Sequence, residues 1–373
     1  MKVIVVYASS GAGHQKAAEA ISKTLQERPG LQVQLIDSLD YTAPFFRYSY
    51  PRVYLFLVRY LPSVWGFFYD GLNVALIGPP LRALRRLLNA VNGRGLEKFF
   101  LSEKPDIIVS THFFASEVAS AMKRSGKLQS CLVTIVTDFV VHSVWITSET
   151  DGYTVASRDT RDSLMRRRVP EEKIAMTGIP VNPVFEKEEN RLLLAEKLGI
   201  APDKFTVLIA SGGFGVGPIE QLVNHLSQNE RLQLLVVCGH NRSLYERLQA
   251  ETASLRERVI LYEFVNNIHE LMSVSDCMVS KSGGLTMSEA LAKQLPAFIL
   301  YPIPGQEMGN RDILVRHQAA LAVRNIRDLE GYFQDLGKLQ EMLAKVRREI
   351  QQFREQHSAH RIADYVLSKG QKK

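Results

Sequence analysis

The sequence predicts an α/β protein of two Rossmann-like domains facing a cleft, with a C-terminal helical segment that crosses back to the N-terminal domain. Three observations carry this reading. At 373 residues the chain exceeds one ordinary core of about 150 residues, so two domains are expected. Buried-strand runs alternate with helix-compatible segments in both halves, as in parallel sheets covered on both faces. A proline-rich passage, Ile179-Pro180-Val181-Asn182-Pro183-Val184-Phe185, and the charged stretch after it interrupt that alternation where an interdomain connection would lie.

The first forty residues read as a βαβ unit. A strand over residues 3–8 runs into the glycine turn Ser9-Ser10-Gly11-Ala12-Gly13. A helix follows with Ala17, Ala18, Ile21 and Leu25 on one side, and then an alternating strand through Leu31, Val33 and Leu35. Further strands are expected at 107–110, 131–136 and 153–156. After the connection the pattern restarts with strands at 206–210, 232–238, 259–262, 277–280 and 297–300, each followed by a glycine-rich or polar turn and a helical stretch. The domains are therefore placed at 1–183 and 190–350, with a helix and basic tail at 351–373. Open α/β sheets bind ligands beyond the carboxyl ends of their strands, so a ligand shared by both domains is expected.

Composition narrows the class. The hydrophobic fraction of 46% and charged fraction of 23% exclude a disordered or low-complexity chain. Cys131, Cys238 and Cys277 form no CxxC pair, which supports neither a disulfide framework nor a cysteine zinc site and points to a reducing cytoplasm. The N-terminal Val3-Ile4-Val5-Val6-Tyr7 reads as a first core strand rather than a signal peptide. The longest stretch free of Asp, Glu, Lys and Arg, residues 205–219, contains five Gly or Pro, so no segment is expected to span a bilayer.

Residues 41–98 fit neither domain pattern. Twelve of the chain's 32 aromatics fall between Tyr41 and Asp70, and the eight basic residues Arg47, Arg52, Arg59, Arg82, Arg85, Arg86, Arg94 and Lys98 stand against Asp70 and Glu97. Aromatics interleaved with arginines, on segments broken by Pro51, Pro62, Pro79 and Pro80, suit an insertion lying in the interface of an anionic membrane. Ordinary packing of an aromatic insertion on its domain is the competing reading. A nucleic-acid surface is disfavoured, because stacking platforms use isolated aromatics.

Three turns could carry chemistry. Gly11-Ala12-Gly13-His14 sits where strand one meets helix one, which places an imidazole beside backbone amides and a positive helix end. Lys16 breaks the GxGxxG pattern, so a dinucleotide site is not supported. The loop Ser211-Gly212-Gly213-Phe214-Gly215-Val216-Gly217 has four glycines in six residues, which lets a diphosphate approach main-chain NH groups closely. In the third block, Ser282-Gly283-Gly284 precedes a helix expected to begin at Thr286 and to carry Glu289 one turn in. That carboxylate can hold a ribose diol or complete a capping box with Thr286, and the spacing allows both. Further on, Gln306, Glu307 and Asn310 form a polar turn able to grasp sugar hydroxyls. No DxD sequence occurs, so the usual acidic pair for a nucleotide-bound metal is missing.

With these residues the chain resembles the processive diacylglycerol glycosyltransferases and monogalactosyldiacylglycerol synthases of the glycosyltransferase-B superfamily. The resemblance rests on Gly11 to His14, the Thr137-Asp138-Phe139 corner with His142 nearby, the glycine loop, and the Ser282 to Glu289 and Pro304-Gly305-Gln306-Glu307-Met308-Gly309-Asn310 blocks. It implies that His14 is the base on the acceptor and that Asp138 is a second catalytic residue. Gly213, Gly215, Ser282, Gly283, Gly284 and Thr286 are expected among the residues that bind the UDP-sugar, and the resemblance implies that Val265 offers its backbone to uracil. Glu289 would then hold the ribose, and Gln306 and Glu307 the donor sugar. Ser10 and Ala12 stand where glycines are common, and Met308 stands where a second acidic residue is frequent.

The function so implied is inverting transfer of glucose or galactose from a UDP-sugar, bound mainly by the C-terminal domain, to diacylglycerol or a glycosyl-diacylglycerol presented by the N-terminal domain. No metal or other cofactor is expected. The expected partners are the UDP-hexose, the lipid and an anionic membrane surface, with peripheral attachment at the cytoplasmic side of the cell membrane. The alternatives are a UDP-N-acetylglucosamine-dependent transferase or epimerase on the same fold, and a non-enzymatic nucleotide- or lipid-binding module.

Overall fold

A computed structural model describes residues 1–371 apart from Ser10, 72–84, 86–87, Phe214 and Val216. The chain divides into two units. Unit 1 comprises Met1–Pro183, Ile303–Gly309 and Glu355–Lys373, and unit 2 comprises Val184–Pro302 and Asn310–Arg354.

Unit 1 contains β1 (Lys2–Tyr7), α1 (Ala12–Gln26), β2 (Gln32–Asp37), α2 (Pro44–Tyr60), α3 (Pro62–Gly71), α4 (Arg94–Glu103), β3 (Ile107–Ser110), α5 (Phe113–Arg124), β4 (Cys131–Ile135), β5 (Gly152–Val155), α6 (Arg158–Arg166) and β6 (Ile174–Met176). Unit 2 continues with α7 (Arg191–Leu198), β7 (Phe205–Ala210), α8 (Ile219–Leu226), β8 (Leu232–Val237), α9 (Arg242–Glu251), β9 (Val259–Tyr262), α10 (Ile268–Val274), β10 (Cys277–Ser280), α11 (Gly284–Ala292) and β11 (Ala297–Ile299). The last elements are α12 (Gln306–Arg316), β12 (Leu321–Ala322), α13 (Ile326–Tyr332), α14 (Leu336–Phe353) and α15 (Ser358–Gly370), of which α15 lies in unit 1.

Each unit holds one six-stranded sheet, ordered β2-β1-β3-β4-β5-β6 in unit 1 and β12-β11-β10-β7-β8-β9 in unit 2, and every pairing is parallel. Side-chain alternation explains why β1 is apolar throughout. Val3 and Val5 pack on one face with Ile21, Leu25 and the α15 residues Ala359, Ile362, Ala363 and Val366. Ile4 and Val6 pack on the other with Leu96, Phe100 and Phe114. The i, i+3, i+4, i+7 spacing of the four α15 residues gives that helix the stripe that ties the C-terminus to the first strand. In unit 2, Val207, Ile209, Leu234, Val236 and Val279 build the equivalent core with Leu222, Val223, Leu244 and Leu343.

Ten of the strands lie where apolar runs place them. The edge strands β6 and β12 have three and two residues and escape a pattern reading. Three expectations are corrected. The segment Ile303–Gly309, placed by sequence within 190–350, groups with unit 1. Gln306 and Glu307 are not on an open turn but in the first turn of α12. Pro51 does not break the aromatic insertion: α2 runs through it for 17 residues, and Pro62 opens α3. Among the described residues no helix is long and apolar enough to cross a membrane.

Candidate functional site

Both sheets reverse strand order at an interior position, where a ligand finds the carboxyl ends of two strands whose connections leave in opposite directions. In unit 1 that point lies between β1 and β3, paired from Val3 with Ile107 to Val6 with Ser110. In unit 2 it lies between β7 and β10. The first pair of ends leads to His14 and Thr111, the second to the glycine loop and Ser282.

His14 stands in the first turn of α1, which Gly11 opens in extended backbone without a side-chain cap. Its Nδ1 lies 2.8 Å from the Thr111 carbonyl and 3.0 Å from Thr137 Oγ1. A carbonyl only accepts, so Nδ1 carries the proton and Nε2 keeps its lone pair. Nε2 has no hydrogen-bond partner among the described residues. Thr111 also donates its hydroxyl to the His14 carbonyl at 2.9 Å, fixing the ring's backbone. Burial disfavours the imidazolium and pulls the pKa of His14 from 6.5 to about 4, against the smaller opposing effect of the Thr111 bond. The buried His112 ring lies edge-on to His14 at 4.8 Å, and its own pKa is held well below the usual value, mainly by burial. His14 is therefore a neutral base of fixed tautomer at neutral pH.

The corner after β4 supplies the other partner of that imidazole, Thr137. Asp138 is half-buried and sits close enough to Tyr54 to help raise that hydroxyl's pKa. His142 Nδ1 accepts from the Val144 amide at 3.3 Å while Nε2–H donates to the Tyr69 carbonyl at 2.7 Å. Thr111 has no individual sequence signal, Thr137 enters only as part of the Thr137-Asp138-Phe139 corner, and Tyr54 only as one of the insertion's aromatics. The position of Thr111, first residue after an interior strand, was the available clue.

The segment Ile303–Gly309 packs within unit 1 against the aromatic insertion. Gln306 Nε2 donates to Tyr54 Oη at 3.4 Å, and Glu307 Oε2 accepts from the Ile303 amide at 2.8 Å. A Cβ on Gly305 would lie 2.7 Å from the Tyr69 ring, and one on Gly66 2.7 Å from Pro304, so both contacts require glycine. Arg85, counted among the insertion's basic residues, pairs with Glu117 at 2.9 Å and lies 5.6 Å from the Phe113 ring centre. Arg82 and Arg86 lie outside the described residues.

In unit 2 the glycine loop has backbone that only glycine adopts readily. Gly212 and Gly215 have φ of +67° and +56°, and a Cβ on Gly215 would fall 2.2 Å from the Cys238 carbonyl oxygen. The His240 amide donates to the Gly213 carbonyl at 2.9 Å, and Asn241 Nδ2 to the Gly215 carbonyl at 3.3 Å, which pins the loop to the turn after β8. The His240 ring stacks flat on Phe264 at 4.3 Å, beside the half-buried Val265.

The helix after β10 starts two residues earlier than its sequence suggests. Gly283 is the N-cap of α11, without a side-chain cap bond, and Thr286 is already helical. A capping box needs its hydroxyl at the N-cap and its carboxylate three residues on, so Glu289 is not a capping partner of Thr286. Asn310 is fully buried and donates from Nδ2 to the Ser282 carbonyl at 3.1 Å, holding the Ser282-Gly283-Gly284 turn. The nine-residue α11 thus presents uncapped amides beside Gly283 and Gly284, a site suited to phosphate. Unit 1 accordingly holds His14, Asp138, Gln306 and Glu307. Unit 2 holds Gly213, Gly215, Val265, Ser282, Gly283, Gly284, Thr286, Glu289 and Asn310.

One group of metal-competent side chains occurs among the described residues, Glu189, His269 and Glu270. Lys293 already pairs with Glu189 at 2.7 Å and Lys197 with Glu270 at 2.6 Å, so both carboxylates are neutralised by the protein itself.

Residues 14–181 match the family model for monogalactosyldiacylglycerol (MGDG) synthase, and residues 206–368 match that for the glycosyltransferase family 28 C-terminal domain. A processive diacylglycerol beta-glucosyltransferase of Bacillus mycoides (strain KBAB4) is 30% identical over 353 residues, covering 91% of this chain and 88% of the relative. The chain belongs to the processive diacylglycerol glycosyltransferase and monogalactosyldiacylglycerol synthase family. A Bacillus cereus (strain B4264) relative of the same name is 29% identical over 346 residues, again covering 91% and 88%. Solved structures show that this family member has the glycosyltransferase-B fold. MurG of Acinetobacter baumannii aligns with a TM-score of 0.63 at 15% identity, covering 98% of this chain and 99% of that one. UDP-GlcNAc 2-epimerase from Neisseria meningitidis, bound to UDP-GlcNAc, aligns with a TM-score of 0.61 at 16% identity over the whole of both chains.

Proposed function

We propose that this protein is an inverting glycosyltransferase that moves a hexose from a UDP-sugar to diacylglycerol or a glycosyl-diacylglycerol at a membrane surface. Family membership supports the reaction class and the lipid acceptor. The observation that carries the mechanism is the fixed tautomer of His14, whose Nε2 lone pair stands at the switch point of unit 1.

Nε2 takes the proton of the acceptor hydroxyl as its oxygen forms a bond to the anomeric carbon, on the face opposite the bond to UDP. That bond breaks with its electron pair going to the diphosphate, and the anomeric configuration inverts. The N-terminus of α11 and the glycine loop around Gly213 and Gly215 stabilise the departing charge. Glu289 holds the ribose, Val265 the base, and Gln306 and Glu307 the sugar, while Asn310 acts by holding the Ser282 turn. Asp138, on the same corner as Thr137, is the second catalytic residue of this reading. Without a DxD sequence these backbone groups take the role a divalent ion plays elsewhere, so turnover is expected to continue in excess chelator.

Attachment to the cytoplasmic side of the membrane is peripheral in this reading, through the outward faces of α2 and α3, where Phe45 and Phe67 are 84% and 65% exposed. The three cysteines are free and buried, which suits a reducing compartment. A donor screen against diacylglycerol in mixed micelles tests the function: labelled glycolipid from UDP-glucose or UDP-galactose is expected. An epimerised UDP-sugar without lipid product would favour the epimerase reading instead.

A further inference from the structure

The geometry points to Tyr54 as a positioning residue that holds the donor-sugar turn from the lipid-facing helix, an inference that rests on the reading of Gln306 as a sugar contact. α2 has two faces. Phe45, Tyr48, Val53, Phe56 and Tyr60 are exposed, while Phe46, Tyr50, Tyr54 and Val58, four residues apart, turn inward.

On the inward ridge the Phe46 and Tyr50 rings stack at 5.1 Å, and Tyr50 meets His112 edge-on at 6.5 Å. Tyr54 packs edge-on against Trp65 of α3 at 5.1 Å and accepts the Gln306 amide through its hydroxyl. The Gly305–Tyr69 and Gly66–Pro304 contacts bring α3 against residues 304–305, next to the Gln306 that Tyr54 of α2 reaches. Burial and then the carboxylates of Glu307 and Asp138 push the Tyr54 hydroxyl's pKa up, so at neutral pH it stays protonated. One oxygen of the insertion therefore orients the Gln306 carboxamide, and a single helix carries that group on one face and exposed apolar side chains on the other.

Tyr54→Phe keeps the ring and removes only the hydroxyl. Loss of one hydrogen bond predicts a rise of about 3- to 10-fold in KM for the UDP-sugar, together with a changed preference between UDP-glucose and UDP-galactose. The affinity for UDP alone, measured by calorimetry, should be unchanged, because UDP lacks the sugar. A purely structural role would instead lower thermal stability and UDP affinity. Gln306→Ala run in parallel distinguishes a failed Tyr54 contact from a failed sugar site. If Gln306→Ala alters KM and sugar preference and Tyr54→Phe alters neither, the inference is overturned while the sugar-site reading stands. If Gln306→Ala leaves both unchanged, that reading fails and the inference falls with it.

Discussion

His14 illustrates how much of a site depends on groups distant in sequence. The turn from Gly11 to His14 is legible because glycines beside a predicted strand end mark a helix start, yet the proton position depends on the carbonyl of Thr111, 97 residues away. No local pattern encodes that contact; it follows from β1 and β3 lying side by side. Glu289 shows the reverse case. Its two readings were equal in sequence, and the extra helical residues at Gly284 and Leu285, invisible without the backbone, remove one of them. Glu289→Ala should therefore weaken UDP binding by about 1.5–3 kcal/mol, the usual worth of a hydrogen bond to a charged group. Unchanged affinity by calorimetry in a folded variant would contradict the ribose role. The titration of His14 gives a second residue-scale prediction. Its folded pKa of about 4 lies below the ordinary 6.5, so the unfolded chain binds the proton first as the pH falls. The stability associated with the neutral ring is intact above pH 6.5 and is lost as the pH falls toward 4. His112 acts in the same direction. His14→Gln should flatten part of the fall in melting temperature across this window, and an unaltered profile would show that the ring is freely protonated in the folded protein.

At the scale of elements, interior parallel strands were readable because both their faces are buried and leave unbroken apolar runs. β6 and β12 were not, since a three-residue or two-residue edge pairing has no periodicity to detect. The insertion was legible as unusual, but its prolines read as breaks, whereas Pro51 lies inside α2 and Pro62 starts α3. The exposed side chains Phe45, Tyr48, Phe56 and Tyr60 are expected to contribute apolar burial at a lipid surface. Replacing all four with serine should reduce co-sedimentation with anionic vesicles at every salt concentration. Removing Arg52 should instead have an effect that high salt reproduces, because that attraction decays within about 10 Å at 0.1 M salt. Wild-type protein remaining in the supernatant at all vesicle compositions would contradict membrane docking by this helix.

Over the whole molecule, two sheets with different strand orders each place a predicted site at a switch point, while the C-terminus returns to the first domain through α15. Ile362, fully buried against the β1 side of that core, is the test of this closure. Ile362→Ala should cost about 2–5 kcal/mol of stability, read as a lower melting temperature. A change within the range of a surface substitution would contradict the packing. The segment Ile303–Gly309 is the part of the architecture that sequence could not assign, because its neighbours in α2 and α3 lie some 240 residues earlier in the chain. For His14 as the group that takes the acceptor proton, the deciding measurement is His14→Ala assayed for both lipid glycosylation and UDP affinity. Glycolipid formation should fall by about 10²- to 10⁴-fold with UDP affinity unchanged; near-normal glycolipid formation by the variant would show that another group takes the proton.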